Sequence, residues 1–348
     1  MTHLFRRSMF WTALLAAPVL IGASQTPPAP PVLAAPSSPG PAEVVIEPGT
    51  VSEVVPFIQP FDLDATRRMA VNVMVGGQGP FSFLVDTGAE RTVIARELAA
   101  RLGLVEGAKL RLATIGGSAT VPSFRIAALQ MSDLHLASVD APAFHGRHIG
   151  AAGLIGVDML EERRVLIDFR KERMQILETR RRAASLIRDD DAIVVTARNS
   201  AGRLILTDAR LHGRRIDVIV DTGAQTSVGN MALQKMVADR RANRLPFSAT
   251  ELTAVTGEDV PALRTAIKRI VINGLDINDL PVSFADSQAF RVLGLHERPA
   301  LLLGMDSLSL FDRVEIDFPN KRVVFDLPDG AQRRTGQQMA LTMARHGG

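Results

Sequence analysis

Polar and apolar positions alternate along much of the chain, in paired arms around turn residues. "VNVMVGGQGPFSFLV" (Val71 to Val85) sets two alternating arms about Gly76-Gly77, and "LTDARLHGRRIDVIV" (Leu206 to Val220) sets two more about His212-Gly213. A period of two broken by glycine predicts β-hairpins. Each is followed by helical spacing: in "ARELAARLGL" Leu98 and Leu102 stand four apart with Gly103 as a stop, and "NMALQKMVADR" is the weaker counterpart. Two further hairpins are predicted where "ATIGGSATVP" (Ala113 to Pro122) and "TAVTGEDVP" (Thr253 to Pro261) put a glycine between β-prone arms.

The order continues to match. "LHLASVDAPAF" (Leu134 to Phe144) parallels "LDINDLPVSF" (Leu275 to Phe284), and "GLIGVDML" (Gly153 to Leu160) parallels "LLLGMDSL" (Leu301 to Leu308). Each series closes on a strand pair, "RVLIDFRKERMQIL" and "RVEIDFPNKRVVFDL", with a charged turn between its arms. One structural unit is therefore written twice, as β-rich lobes at residues 65–178 and 192–328. Residues 179–191, "ETRRRAASLIRDDD" with its leading Glu178, read as a charged, solvated connector, and residues 329–348 as a loosely held tail. The predicted class is all-β and bilobal.

The first 64 residues differ in kind. Residues 1–24 carry Arg6 and Arg7, an apolar run of roughly a dozen residues and small residues at Ala23 and Ser24, the pattern of a secretory signal. An exported protein, periplasmic or secreted, is expected, with no stable membrane span in the mature chain. Residues 25–64 read as a proline-rich linker and a lead-in strand.

Composition narrows the chemistry. The chain of 348 residues has no cysteine, which excludes disulfides, thiolate metal sites and a cysteine nucleophile. Net charge is only +3, with arginines scattered among acids, and tyrosine is absent, so neither a concentrated basic field nor stacking aromatics point to nucleic acid. The histidines lack metal-ligand spacing, and no metal or cofactor is expected.

The repeated tetrapeptide carries the chemistry. "FLVDTGA" ends at Ala89 and "VIVDTGA" at Ala224, placing Asp86 and Asp221 135 residues apart (221 − 86) at the end of matched apolar strands. A single Asp-Thr-Gly is an ordinary turn; two in matched repeats that pack face to face bring Asp86 and Asp221 to a shared axis. Carboxylates about 3 Å apart share one proton and titrate as a unit, which supplies an acid and a base together. The natural reaction is amide hydrolysis: the ionised member takes a proton from water, and the protonated member stabilises the oxyanion and the leaving amine.

These motifs resemble the aspartic peptidases, specifically the retropepsin-like branch, whose subunits carry Asp-Thr/Ser-Gly-Ala after an apolar strand and later two apolar residues and Gly. The later motif is matched by Leu154-Ile155-Gly156 and Leu302-Leu303-Gly304. The resemblance implies the bilobal acid-protease fold, catalysis by Asp86 and Asp221, and hydrogen bonds across the lobes from Thr87 and Thr222. It also implies close backbone approach at Gly88 and Gly223. It makes flaps of Ile115, Gly116, Gly117 and Ser118 and of Val255, Thr256, Gly257 and Glu258, closing over a protein or peptide substrate.

Relatives usually place Arg after the later Gly, to brace the lobe interface; here Val157 and Met305 stand there, followed by Asp158 and Asp306, which read as helix-start caps. Ala89 and Ala224 carry no hydroxyl to favour an ionised aspartate, so the expected optimum is about pH 5 to 7. The expected particle is a two-lobed monomer. Rival readings are a silent peptide-binding or sensor module, and a homodimer with separate sites. A carboxylate-pair glycosidase fits worse, because its carboxyls stand at least about 5 Å apart.

Overall fold

The computed structural model describes residues 57–60, 62–63, 68–131, 134–136, 138–187, 192–239, 246–328, 332–334 and 338–342. They belong to one compact unit, Val54–Gly348. The expected signal and most of the proline-rich linker lie outside the described residues. No helix among the described residues is long and apolar enough to cross a membrane.

The two repeats fold into two β lobes, as an all-β, two-lobed acid-protease fold requires. In the first, Met69–Val75 and Gln78–Val85 form the hairpin. In the second, Arg203–Leu211 and Arg214–Val220 do so. A later strand then slides in parallel beside the second arm of each: Gly153–Ile155 beside Phe83 to Val85, and Ala300–Leu303 beside Asp217 to Val220. Phe83, Leu84 and Val85, like Val218, Ile219 and Val220, are buried, as continuous apolar runs in central parallel strands are. The helices fall where the spacing places them, at Arg96–Arg101 and Met231–Ala238. The second is the longer, and Asn230 caps its start by accepting from the Leu233 amide at 2.8 Å.

The lobes are joined by a sheet to which both contribute. Arg163–Asp168 of the first pairs antiparallel with Arg313–Asp317 of the second, flanked by Arg173–Glu178 and Arg322–Asp326. The lead-in strand Phe57–Pro60 forms its edge in the first lobe, and Ile193–Ser200 pairs beyond Arg322–Asp326 and carries the sheet on to the hairpin of the second lobe.

The connector departs from expectation. The side chains of Arg180, Arg181 and Arg182 are exposed, but the backbone around them is docked. Glu315, fully buried, accepts from the amide of Leu186 and the hydroxyl of Ser185, while Arg164 and Arg322 donate to the carbonyls of Ala184 and Ala183. Arg164 and Arg322 also converge on buried Asp317 at 2.8 and 2.9 Å. Buried charges need partners, and the connector's backbone supplies part of that shell. The tail likewise departs from expectation over part of its length: Gln338–Thr342 runs parallel to Leu275–Phe284 as an added strand, closing an edge.

Candidate active site

The apolar strands deliver the two aspartates to one place. Asp86 and Asp221 each follow the last residue of a central strand, and their amides donate to Ile155 and Leu303 at 2.9 and 3.0 Å, which pins each residue to the neighbouring parallel strand. Each chain then turns back over its own carboxylate. Asp86 Oδ1 accepts from the amides of Gly88 and Ala89 at 2.8 and 2.9 Å, and Asp221 Oδ1 accepts from Gly223 and Ala224 at 3.0 and 3.1 Å. One oxygen of each carboxyl is thereby occupied.

The threonines lock the turns together across the lobes. Thr87 Oγ1 donates to the Val220 carbonyl at 2.9 Å and accepts from the Thr222 amide at 3.1 Å. Thr222 Oγ1 donates to the Val85 carbonyl at 2.7 Å and accepts from the Thr87 amide at 3.1 Å. Both threonines are buried and both hydroxyls are satisfied in each role. The glycines are dictated by contact: a Cβ on Gly88 would collide with the Asp221 carboxyl, and one on Gly223 with that of Asp86. Each carboxyl thus sits against the other lobe's turn.

That placement sets the electrostatics. Burial pushes both carboxyls above the ordinary aspartate range; Asp221 rises from 3.8 to about 7, with the charge of Asp86 adding to the effect of burial. The turn amides and Arg203 oppose the rise at both, and Arg68 opposes it at Asp86. Carboxyls so placed resist ionising together, and the second charge is the costlier one.

Beneath each turn the later motif closes in. Ile155 and Leu303 are the carbonyls just named, Leu154 and Leu302 pair with Val93 and Val228, and Gly156 and Gly304 donate to the hydroxyls of Thr92 and Ser227 at 3.1 Å each. Those hydroxyls in turn donate to Asp158 and Asp306, each at 2.8 Å. The expected role of the two aspartates as helix caps is therefore corrected: the cap positions are Gly156 and Gly304, and both carboxylates reach back instead to the segment after the dyad turn.

Two hairpins, one from each lobe, meet at their tips. Leu110–Ala113 and Ser118–Val121 carry Ile115, Gly116 and Gly117 at their tip, with Ser118 opening the return strand. Ser248–Thr253 and Asp259–Ile272 carry Val255, Thr256, Gly257 and Glu258. An atom added to Gly116 would lie 2.9 Å from a Glu258 carboxylate oxygen and 3.4 Å from the Ala254 methyl, so the tips touch. Each also leans on the opposite lobe: Ile115 packs on the apolar cluster of Ile219, Val228, Phe290 and Leu302, and Gly257 lies on the His148 ring.

Residues 71–162 match the family of gag-polyprotein putative aspartyl proteases, and residues 207–307 match the aspartyl protease family. The chain carries two retropepsin-like aspartyl protease domains in tandem. No curated protein matches it.

Within these aspartyl protease domains the structure brings together Asp86, Thr87, Gly88, Ala89 and Asp221, Thr222, Gly223, Ala224, with the later motifs beneath them, and brings the two hairpin tips to each other. Sequence reading missed Thr92 and Ser227, although both stand six residues beyond their aspartates (92 − 86 and 227 − 221) and both carry a hydroxyl. It also missed Arg68 and Arg203. Val157, at the position where relatives place arginine, is buried under the Ala201-Gly202 turn of the second lobe.

Proposed function

We propose that the chain is an exported aspartic endopeptidase with one active site, formed by Asp86 and Asp221 at the junction of its two lobes. The observation that supports this most is the reciprocal fit of the two turns, in which each carboxyl abuts the other lobe's glycine while the threonines cross-bond beneath them. Two acids raised by burial and sharing one proton are the equipment for activating water against an amide. The ionised carboxylate accepts a proton from the water as its oxygen adds to the carbonyl carbon. The protonated carboxyl donates to the developing oxyanion, and the proton then passes to the amine as the C–N bond breaks. No metal or thiol enters this sequence.

The substrate is an extended peptide lying between the dyad and the hairpin tips, which must part to admit it. Both aspartates come from one chain, which favours a two-lobed monomer over separate sites in a dimer. The N-terminal pattern of Arg6, Arg7 and an apolar run supports export.

The test is cleavage of a diverse peptide library by the full chain from about pH 3 to about pH 8, read by mass spectrometry, beside Asp86→Asn and Asp221→Asn. Cleavage by the parent and loss in both variants is the expected result. A parent that binds peptides without cutting any at any pH is a recognition module, and the peptidase reading falls.

A further inference from the structure

Each hairpin tip is seated on the opposite lobe, beside the short helix that precedes the later motif there, and the two seats are unlike. Ile115, in the first tip, packs on the second lobe's apolar cluster, to which Phe290 of the helix Gln288–Val292 belongs. Gly257, in the second tip, lies on the ring of His148, within the first lobe's helical turn Gly146–Ile149. At φ +87° and without a Cβ, Gly257 sets its backbone directly against the imidazole; an added Cβ would fall 2.6 Å from each ring nitrogen. One tip rests on hydrocarbon and the other on a group that takes up a proton.

The tautomer of that ring is set by its neighbour. A guanidinium only donates, and Arg147 Nε donates to His148 Nε2 at 3.0 Å, so the neutral ring carries its hydrogen on Nδ1. His148 Nδ1 is buried without a hydrogen-bond partner among the described residues, and so is the hydroxyl of Thr256, next to Gly257. The second tip is therefore held on its seat by contact with a neutral ring, with no hydrogen bond from the ring to the hairpin.

A second proton on His148 goes to Nε2. It breaks the bond from Arg147 and sets an imidazolium beside a guanidinium, while Nδ1–H still lacks an acceptor. A charge covered in this way is stabilised by water, which reaches the ring once Gly257 moves off it. The acids nearby are engaged elsewhere. His145, edge to face with His148 at 5.7 Å, is bonded by Glu97 at 3.0 Å and faces Arg96 at 3.5 Å. The Gly146 amide, and after it His145, hold the Glu97 carboxyl down at about 2. Arg68 donates to the Ile149 carbonyl at the end of the same turn. On the hairpin, the Glu258 carboxylate lies toward Gly116 of the first tip, and Asp259 accepts from the Thr253 hydroxyl at 2.9 Å.

We infer that His148 is a positioning residue for the second hairpin and makes its seating depend on pH: the neutral ring holds the tip down, and protonation releases it, while the first tip on its apolar seat responds much less. Control of substrate entry by this release rests on the peptidase reading; the release itself does not.

Amide exchange of the full chain is followed by NMR at about pH 7.5 and about pH 5.5, either side of the range in which imidazoles ordinarily titrate, and corrected for the intrinsic pH dependence of exchange. The amides of Ala254 and Gly257, bonded across the second tip to the carbonyls of Glu258 and Ala254 at 2.8 Å each, report its opening, and those of Thr114 and Gly117 report the first tip. In the parent, corrected exchange of Ala254 and Gly257 rises about tenfold at the lower pH, and that of Thr114 and Gly117 much less. His148→Phe keeps a ring under Gly257 without a proton site, and the rise disappears; His148→Gln takes its place if circular dichroism shows the former unfolded. Arg147→Met, which removes the neighbouring cation, makes the rise smaller. Asp221→Asn, which removes a dyad proton site, retains it. A parent without the rise overturns the proposal, as does a full rise in a folded His148 variant or in Arg147→Met, or its loss in Asp221→Asn. A second tip that exchanges more slowly at the lower pH, as pairing of the imidazolium with Glu258 would give, overturns it too. A rise that depends on His148 in a chain that cleaves no peptide removes the peptidase reading and leaves the pH-dependent seat standing.

Discussion

The two hairpins whose tips meet, the roof of the proposed site, grow from the same duplicated segment but are attached to their lobes in different ways. In the second lobe, Asp259–Ile272 is a single strand of 14 residues whose outer part pairs with Ser248–Thr253 and whose inner part pairs with Leu275–Phe284. In the first lobe the corresponding arm is interrupted at Pro122, between Ser118–Val121 and Ser123–Ile126, although the second lobe carries Pro261 at the matching place within its unbroken strand. Leu110–Ala113 and Ser118–Val121 consequently form a two-stranded sheet of their own. The floor beneath shows no such divergence: the bonds from the turn amides to the two aspartates differ by only a few tenths of an ångström between lobes. The floor residues contact their own counterparts, so a change in one must be matched in the other. The roof elements touch unlike partners, and their sequences were free to part.

If the floor is one shared device, it fails equally from either side. Asp86→Asn and Asp221→Asn are each expected to lower kcat/KM by about 10²–10⁴-fold, the range lost with an acid or base group. Substantial turnover surviving in either one alone would mean that the lobes do not share a site. Next in size is the cross-lobe lock. Thr87→Val and Thr222→Val each strand a buried amide and a buried carbonyl, and each should cost about 1–3 kcal/mol in urea unfolding. Unequal losses would show that the lock is less reciprocal than its bonds.

The duplicated floor was legible in the sequence because its determinants are local. Asp86-Thr87-Gly88 and Asp221-Thr222-Gly223 sit at fixed offsets from apolar strands, and the alternation predicts the hairpins that carry them. What was not legible depends on residues far apart in the chain. The docked connector is held by Glu315 and Arg164, charges buried only once strands of the two lobes pair, and nothing in "RRRAASL" announces a partner 130 residues away (315 − 185). Asp158 and Asp306 looked like caps because a cap is the local explanation for an acid at a helix start; their actual donors lie 66 and 79 residues away. The tail strand Gln338–Thr342 depends on the edge that Leu275–Phe284 offers, which its own composition does not reveal.

The dyad also makes stability depend on pH with a definite sign. An acid whose folded-state value is raised binds its proton more tightly folded than unfolded, so its contribution is full below the unfolded value and declines as pH rises toward the folded one. For Asp221 that window runs from its ordinary 3.8 up to about 7. The midpoint in urea is expected to fall across that window and level off above it. Asp221→Asn should flatten the slope, and a slope unchanged in that variant would assign it to other groups. For activity the same raised value predicts that kcat/KM declines above about pH 7, as the protonated member is lost.

The smallest effect expected is the one that bears on the roof. Opening free energy depends on how much of a segment is tied into the main sheet, and the first hairpin has only its own partner strand, whereas the second is continuous with the sheet of its lobe. Amides of Leu110–Ala113 and Ser118–Val121 should therefore exchange with deuterium faster than those of Ser248–Thr253 and the facing part of Asp259–Ile272, by about tenfold for each 1.4 kcal/mol between their openings. Equal exchange in the parent would mean that the contact between Gly116 and Glu258 couples the tips so firmly that they open together. In that case substrate entry would be governed by the better anchored hairpin, and the difference between the lobes would stop at their attachment.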